Sequence, residues 1–138
     1  MERAILDMVD QSLQRCFCAG SRFIDGFYER FLESSPTVRE KFARTDFGRQ
    51  KRHLRASLWM MLMAAEDEVG GPGRYLPALA RRHGRRGLDI GAELYDLWLD
   101  SLLASVAECD PDFTPQIRDA WEQVMMVGIH YMCTHREA

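Results

Sequence analysis

The sequence predicts an all-α protein of about seven helices, some long and some only two turns, with no strands. Three observations carry that expectation. Apolar residues recur at steps of three and four along almost all of the 138 residues, and no segment sustains the alternation of a half-buried strand. Prolines, glycines and capping residues fall where those apolar stripes stop. Short proline-started pieces sit between long helices. That suits helices crossing at steep angles around something better than a simple four-helix bundle.

A first helix is expected from about Glu2 to Cys18, with Ile5, Met8, Val9, Leu13, Cys16 and Phe17 as its apolar stripe. A turn around Ala19–Ser21 leads to a second helix, where Phe23, Phe27 and Phe31 stand four apart beside Ile24 and Tyr28. It stops before Pro36, because a residue preceding proline is steered out of the helical region. A short helix from Pro36 carries Val38 and Phe42. Thr45 or Asp46 is the expected N-cap of the next, long helix to about Glu68, in which Gln50, Leu54, Leu58 and Leu62 keep strict four-residue steps. "VGGPG", 69–73, is a loop by its breakers.

A short helix around Pro77 then carries Leu76, Leu79 and Ala80 to His83, and Gly84, Gly87 and Gly91 break up the next segment. From about Ala92 to Ala107 another helix presents Leu94, Trp98, Leu102 and Val106. "DPDFTP" makes a turn that ends in an N-cap threonine and a first-turn proline, Thr114–Pro115. The last helix is expected to bury Ile117, Trp121, Val124, Met125, Gly128 and Met132.

Composition narrows the function. Hydrophobic residues make up 46% of the chain, formal net charge is −3, and no apolar run reaches the roughly 18 residues a membrane helix needs. Acids inside the N-terminal apolar pattern argue against a signal peptide, so a cytoplasmic location is expected. Cys16, Cys18, Cys109 and Cys133 form no CxxC pair and no zinc spacing, and are expected to be buried small hydrophobes. "ARRHGRRG", 80–87, sets four arginines around one histidine, a weak nucleic-acid signal in an acidic chain. No nucleic-acid or membrane partner is expected.

His83 is the more informative part of that segment. Leu79 lies four residues before it on the same helix face, and Gln50, Leu54 and Leu58 face a pocket from another helix. One histidine without thiolate or carboxylate partners holds a bare ion poorly. It can hold an iron whose other ligands come from a porphyrin. The alternative is a histidine capping a helix C-terminus.

At these residues the chain resembles the bacterial single-domain globins, similar to Vitreoscilla haemoglobin and to the globin domain of flavohaemoglobins. "FYERFLESSPTVREKF", 27–42, matches the family pattern without a gap, and "QKRHLRASL", 50–58, and "ARRHGRRG" come after it in the family's order. The resemblance covers essentially the whole chain. Each motif alone is weak, and their order and spacing together are fairly specific. It implies the globin fold, a 3-on-3 helical sandwich around a haem pocket, with 1–138 as a single globin domain. It implies haem b, bound non-covalently, with His83 as proximal iron ligand. Tyr28 lies over the distal face, Phe42 stacks on the ring, and Gln50 and Leu54 line the distal helix. Trp98 and Tyr95 approach from the helix after His83, and Tyr95 matches a family tyrosine that helps polarise the proximal histidine. The glutamate that shares this task in the family is replaced here: counting from Trp121, its position holds Arg136, with Glu137 one step on.

His53, three residues after Gln50, faces roughly the same way. It is either a second iron ligand, used when no gas is bound, or a surface residue near a haem propionate. His130 and His135 read as incidental. The methionines, including Met60, Met61 and Met63, read as core filler. Arg74, Arg81, Arg82, Arg85 and Arg86 neutralise propionates or solvate the helix. The function expected is reversible binding of O2 or another diatomic gas (NO, CO) by a monomer or homodimer. The alternatives are nitric oxide dioxygenation with an external reductase, because these residues hold no flavin or nicotinamide segment, and gas or redox sensing through a partner protein.

Overall fold

Seven helices form among the described residues of the computed structural model, which are 1–66, 76–83 and 91–135 without the side chains of Ala78, Leu79 and Arg82. The "VGGPG" loop, Arg74, Gly84–Gly87, Arg136 and Glu137 lie outside them. The helices are α1 (Arg3–Cys18), α2 (Arg22–Ser34), α3 (Pro36–Lys41), α4 (Phe47–Glu66), α5 (Pro77–His83), α6 (Ala92–Cys109) and α7 (Pro115–Thr134). No described residue is in a strand. None of the described helices is long and apolar enough to cross a membrane.

Capping chemistry sets the boundaries. Gly20, between α1 and α2, has φ of 71°, a left-handed conformation that favours glycine. Its N–H closes the turn on the Phe17 carbonyl at 3.1 Å. Ser35 is extended ahead of Pro36, and its hydroxyl accepts the Thr37 N–H at 3.1 Å. Asp46 caps α4, accepting the Arg49 N–H at 3.3 Å. Thr114 caps α7, accepting the Ile117 N–H at 3.2 Å, with Pro115 in the first turn.

The core is the sum of the apolar stripes. Leu6, Val9, Leu13 and Cys16 of α1 meet Trp121, Val124 and Met125 of α7, and α4 lies along the same helix. Packing of α6 is mainly against α2, where the Ser105 hydroxyl donates to the Phe23 carbonyl at 2.6 Å. Because α6 also packs on α1 and α7, it is buried on more than one face, so Leu99 and Leu103 join Leu102 and Val106 inside. At Gly128 an added Cβ would stand 2.6 Å from the Met61 methyl, so the missing side chain lets α7 approach α4.

Several expected positions differ. Ile117 is only half-buried, in the first turn of α7, where Thr114, Pro115 and Gln116 are all exposed. Cys16 and Cys109 are buried, but Cys18 is exposed at the end of α1 and Cys133 is half-buried. Met63 and Met126 are exposed and fill no core. Trp98 is half-buried, since it faces a cavity rather than a packed helix.

Candidate functional site

The cavity that Trp98 faces is walled by six segments. From α2 come Phe27, Tyr28 and Phe31, four and three residues apart on one face. Phe42 joins them from the end of α3. On α4 the wall is Gln50, His53, Leu54, Ser57 and Met61, the three-and-four spacing of one helix face. α5 contributes His83, α6 contributes Leu94, Tyr95 and Trp98, and α7 contributes Met132. The space free of protein atoms is about 640 Å³, counting the part open to solvent, within the range of cofactor pockets.

The wall is mostly aromatic and interlocked. The Tyr28 ring meets Phe27 edge-on at 4.9 Å, Phe47 at 5.6 Å and Phe42 at 6.3 Å between centroids. Phe42 meets Phe31 at 5.9 Å, and Phe27 meets Trp98 at 6.0 Å. Edge-to-face pairs at these distances fix ring orientation as well as burying area. Contacts within the protein thus hold the rings of this wall against one another.

The polar groups are few. The Tyr28 hydroxyl donates to the backbone carbonyl of Gln50 at 3.4 Å, a long bond that spans from α2 to the first turn of α4. The Tyr95 hydroxyl donates to the Met132 sulfur at 3.3 Å, a weak acceptor. The Ser57 hydroxyl turns back to the His53 carbonyl at 2.7 Å and so closes on its own helix. His53 and His83 supply the imidazoles, both half-buried, from two different helices. Among the described residues no carboxylate or thiol lines the cavity.

That donor set decides what metal chemistry the pocket can support. No group of three or more His, Cys, Asp or Glu that could hold an ion exists among the described residues. One or two imidazoles cannot complete a protein metal site. They suit the axial positions of an iron already held by a flat macrocycle, and the aromatic and aliphatic wall suits the macrocycle's faces. The residues present thus fit haem.

Tyr28, Phe42, Gln50, His53, Leu54, His83, Tyr95 and Trp98, separate in the sequence, all line this one cavity. The Leu79 side chain lies outside the described residues. Phe27, Phe31, Ser57, Met61, Leu94 and Met132 line it too, without having been expected there. For Ser57 and Met61 a signal was available, since they continue the Gln50–Leu54 face by three and seven residues beyond Leu54. Met132 carried none: only the folded chain brings α7 to this wall.

A globin sequence profile matches residues 25–132. The chain belongs to the globin family. It is similar, at 46% identity and a TM-score of 0.87, to the crystal structure of PA3967 from Pseudomonas aeruginosa PAO1. That protein is described as structurally highly homologous to a human haemoglobin. The likeness covers 96% of this chain and 98% of that one. No curated protein matches. The globin is of the bacterial type and has the all-helical fold of its family. Family membership implies haem and, with it, binding of a diatomic gas.

Proposed function

We propose that this globin binds haem b non-covalently in the cavity between α4, α5 and α6, as a single domain, and takes O2 or another diatomic gas reversibly. One observation carries the reading: an aromatic pocket gathers Tyr28, Phe42, Gln50, Leu54 and His83, and among the described residues it offers imidazoles but no carboxylate or thiol. Haem would supply an iron centre that takes O2, NO or CO.

His83, at the C-terminal end of α5, would hold the iron through a ring nitrogen. Phe42, held by ring contacts with Phe31 and Phe47, would pack against the macrocycle. Leu54 and Trp98 exclude water from the pocket. Tyr28 presents a hydroxyl on the side of α4, where Gln50 also stands. A gas ligand that gathers negative charge is stabilised by such donors in a water-poor pocket.

The Tyr95 hydroxyl donates to the Met132 sulfur, and the position that the family pattern gives to a glutamate holds Arg136. That arginine supports a proximal side with less negative charge than the family pattern of tyrosine and glutamate would give. Weak polarisation of His83 favours reversible binding over oxidative chemistry, so the carrier reading stands ahead of nitric oxide dioxygenation.

The test is the visible spectrum of the purified, haem-reconstituted chain. A Soret band is expected, shifted by CO in the ferrous form and abolished or strongly weakened in His83→Ala. A chain that takes up no haem, or a spectrum unchanged in His83→Ala, would refute the proposal.

A further inference from the structure

His53 has no role in gas binding as proposed, yet it lines the same cavity as His83. It stands on the α4 face that carries Gln50, Leu54 and Ser57. Ser57 engages only the His53 backbone carbonyl, and among the described residues no hydrogen bond, ion pair or ring contact holds the His53 imidazole. The contrast with His135 is plain, since that ring is stacked on Tyr131 and hydrogen-bonded to its carbonyl at 2.8 Å. A half-buried imidazole normally finds a partner. Exposed Arg49 and Arg52 stand near it on α4, and neither lines the cavity.

We infer that His53 is an internal competitor of the gas: its imidazole takes the second axial position of the iron, opposite His83, whenever no gas is bound. This rests on the haem-binding reading and adds a regulation to it. Gas then binds only to the fraction of molecules in which His53 has withdrawn, and apparent affinity falls by that fraction. If the site is closed about nine-tenths of the time, removing His53 raises apparent affinity about tenfold. The same device shields the iron from other small donors between binding events.

The experiment uses the full chain reconstituted with haem. Absorption and electron paramagnetic resonance spectra are taken in the ferric form, and absorption in the deoxy-ferrous form. Low-spin, six-coordinate spectra are expected for the wild type. His53→Ala and His53→Gln, each checked for helix content by circular dichroism, should become high-spin. Both should bind CO about tenfold more tightly, by the same fractional arithmetic. Added imidazole should restore the low-spin spectrum to His53→Ala. A high-spin wild type overturns the inference, and so does a low-spin spectrum that survives in both variants, because another side chain would then be the ligand. Failure of the haem reading looks different: no Soret band in the wild type, or one indifferent to His83→Ala.

Discussion

Arg15 and Asp110 meet across 95 positions of the chain, with Arg15 Nε 2.6 Å from Asp110 Oδ1 and Nη2 3.1 Å from Oδ2. The pair joins α1 to the turn between α6 and α7. Asp110 is 3% exposed, so its carboxylate must be satisfied by protein groups. The Ser12 hydroxyl donates to Oδ2 at 2.6 Å, the Asp112 N–H donates to Oδ1 at 2.9 Å, and Trp121 Nε1 donates to Ser12 Oγ at 2.9 Å. Burial alone would raise the Asp110 pKa. The hydrogen bonds from Arg15, Ser12 and Asp112 outweigh it and hold the carboxyl below its usual range.

Stability should therefore carry an acid dependence that belongs to this residue. A carboxyl depressed in the folded state stabilises the fold above its unfolded value of about 3.9. That contribution is lost as pH falls through the lower folded value. Asp110→Asn should remove this part of the acid dependence and cost about 3 kcal/mol at neutral pH, since it leaves Arg15 without its bidentate partner. Denaturant melts of both proteins at pH 7 and pH 3 check it. A cost equal at both values would show that the charge contributes nothing.

Tyr28→Phe keeps the ring and its edge-on contacts with Phe27, Phe42 and Phe47 and deletes only the hydroxyl. That hydroxyl makes a 3.4 Å bond to the Gln50 carbonyl, long enough to be given up with little loss of stability. If it stabilises the gas ligand, its hydrogen bond to a partly charged acceptor is worth about 1.5 kcal/mol. The O2 off-rate should then rise about tenfold. Stopped-flow release of O2 measures it, and an unchanged rate removes Tyr28 from ligand stabilisation.

How much of the fold and the pocket was legible in the sequence depended on range. Caps at Ser35, Asp46 and Thr114 act within three residues, and the helix boundaries depend on them. The pocket positions on α2 and α4 were readable because helical period fixes which residues share a face. The Arg15–Asp110–Ser12–Trp121 network was not readable, for each of its bonds joins α1 to a residue about a hundred positions on, and "DPDFTP" alone says only that the chain turns. Met132 against Tyr95 has the same cause, a contact between helices with no local pattern. Periodicity also could not tell Met61, sealed inside, from Met63, exposed on the same helix, until α7 was placed.

The cysteines should differ sharply in reactivity. Cys18 is exposed, whereas Cys16 is fully buried, and burial, aided by the nearby Asp110 charge, pushes its thiol up to about 12. Only the thiolate reacts, so at pH 8 a maleimide or iodoacetamide should label Cys18 within minutes and leave Cys16 intact in the folded chain. Peptide mapping after labelling distinguishes them. The same shift predicts alkaline instability. Unfolding frees a thiol of ordinary pKa 9.0, so stability falls from about pH 9 toward about 12, by roughly 1.4 kcal/mol per pH unit at most. Cys16→Ser should flatten that alkaline slope.

Two cap positions that look alike in sequence should respond differently to alanine. Thr114 precedes α7 in an extended conformation, and its hydroxyl takes the Ile117 N–H at 3.2 Å. Ser21 precedes α2 with helical torsions and makes no side-chain cap bond. The difference is geometric: an N-cap oxygen reaches the third N–H only from extended backbone, and Ser21 lacks it. Thr114→Ala should cost about 1 kcal/mol, or a few degrees in melting temperature for a chain of this size. Ser21→Ala should change stability by less than about 0.5 kcal/mol, the ordinary range for an exposed surface substitution. Paired thermal melts decide it. Equal losses would mean that Ser21 caps α2 in solution after all, and no loss at Thr114 would mean that water replaces its hydroxyl at the start of α7 without cost.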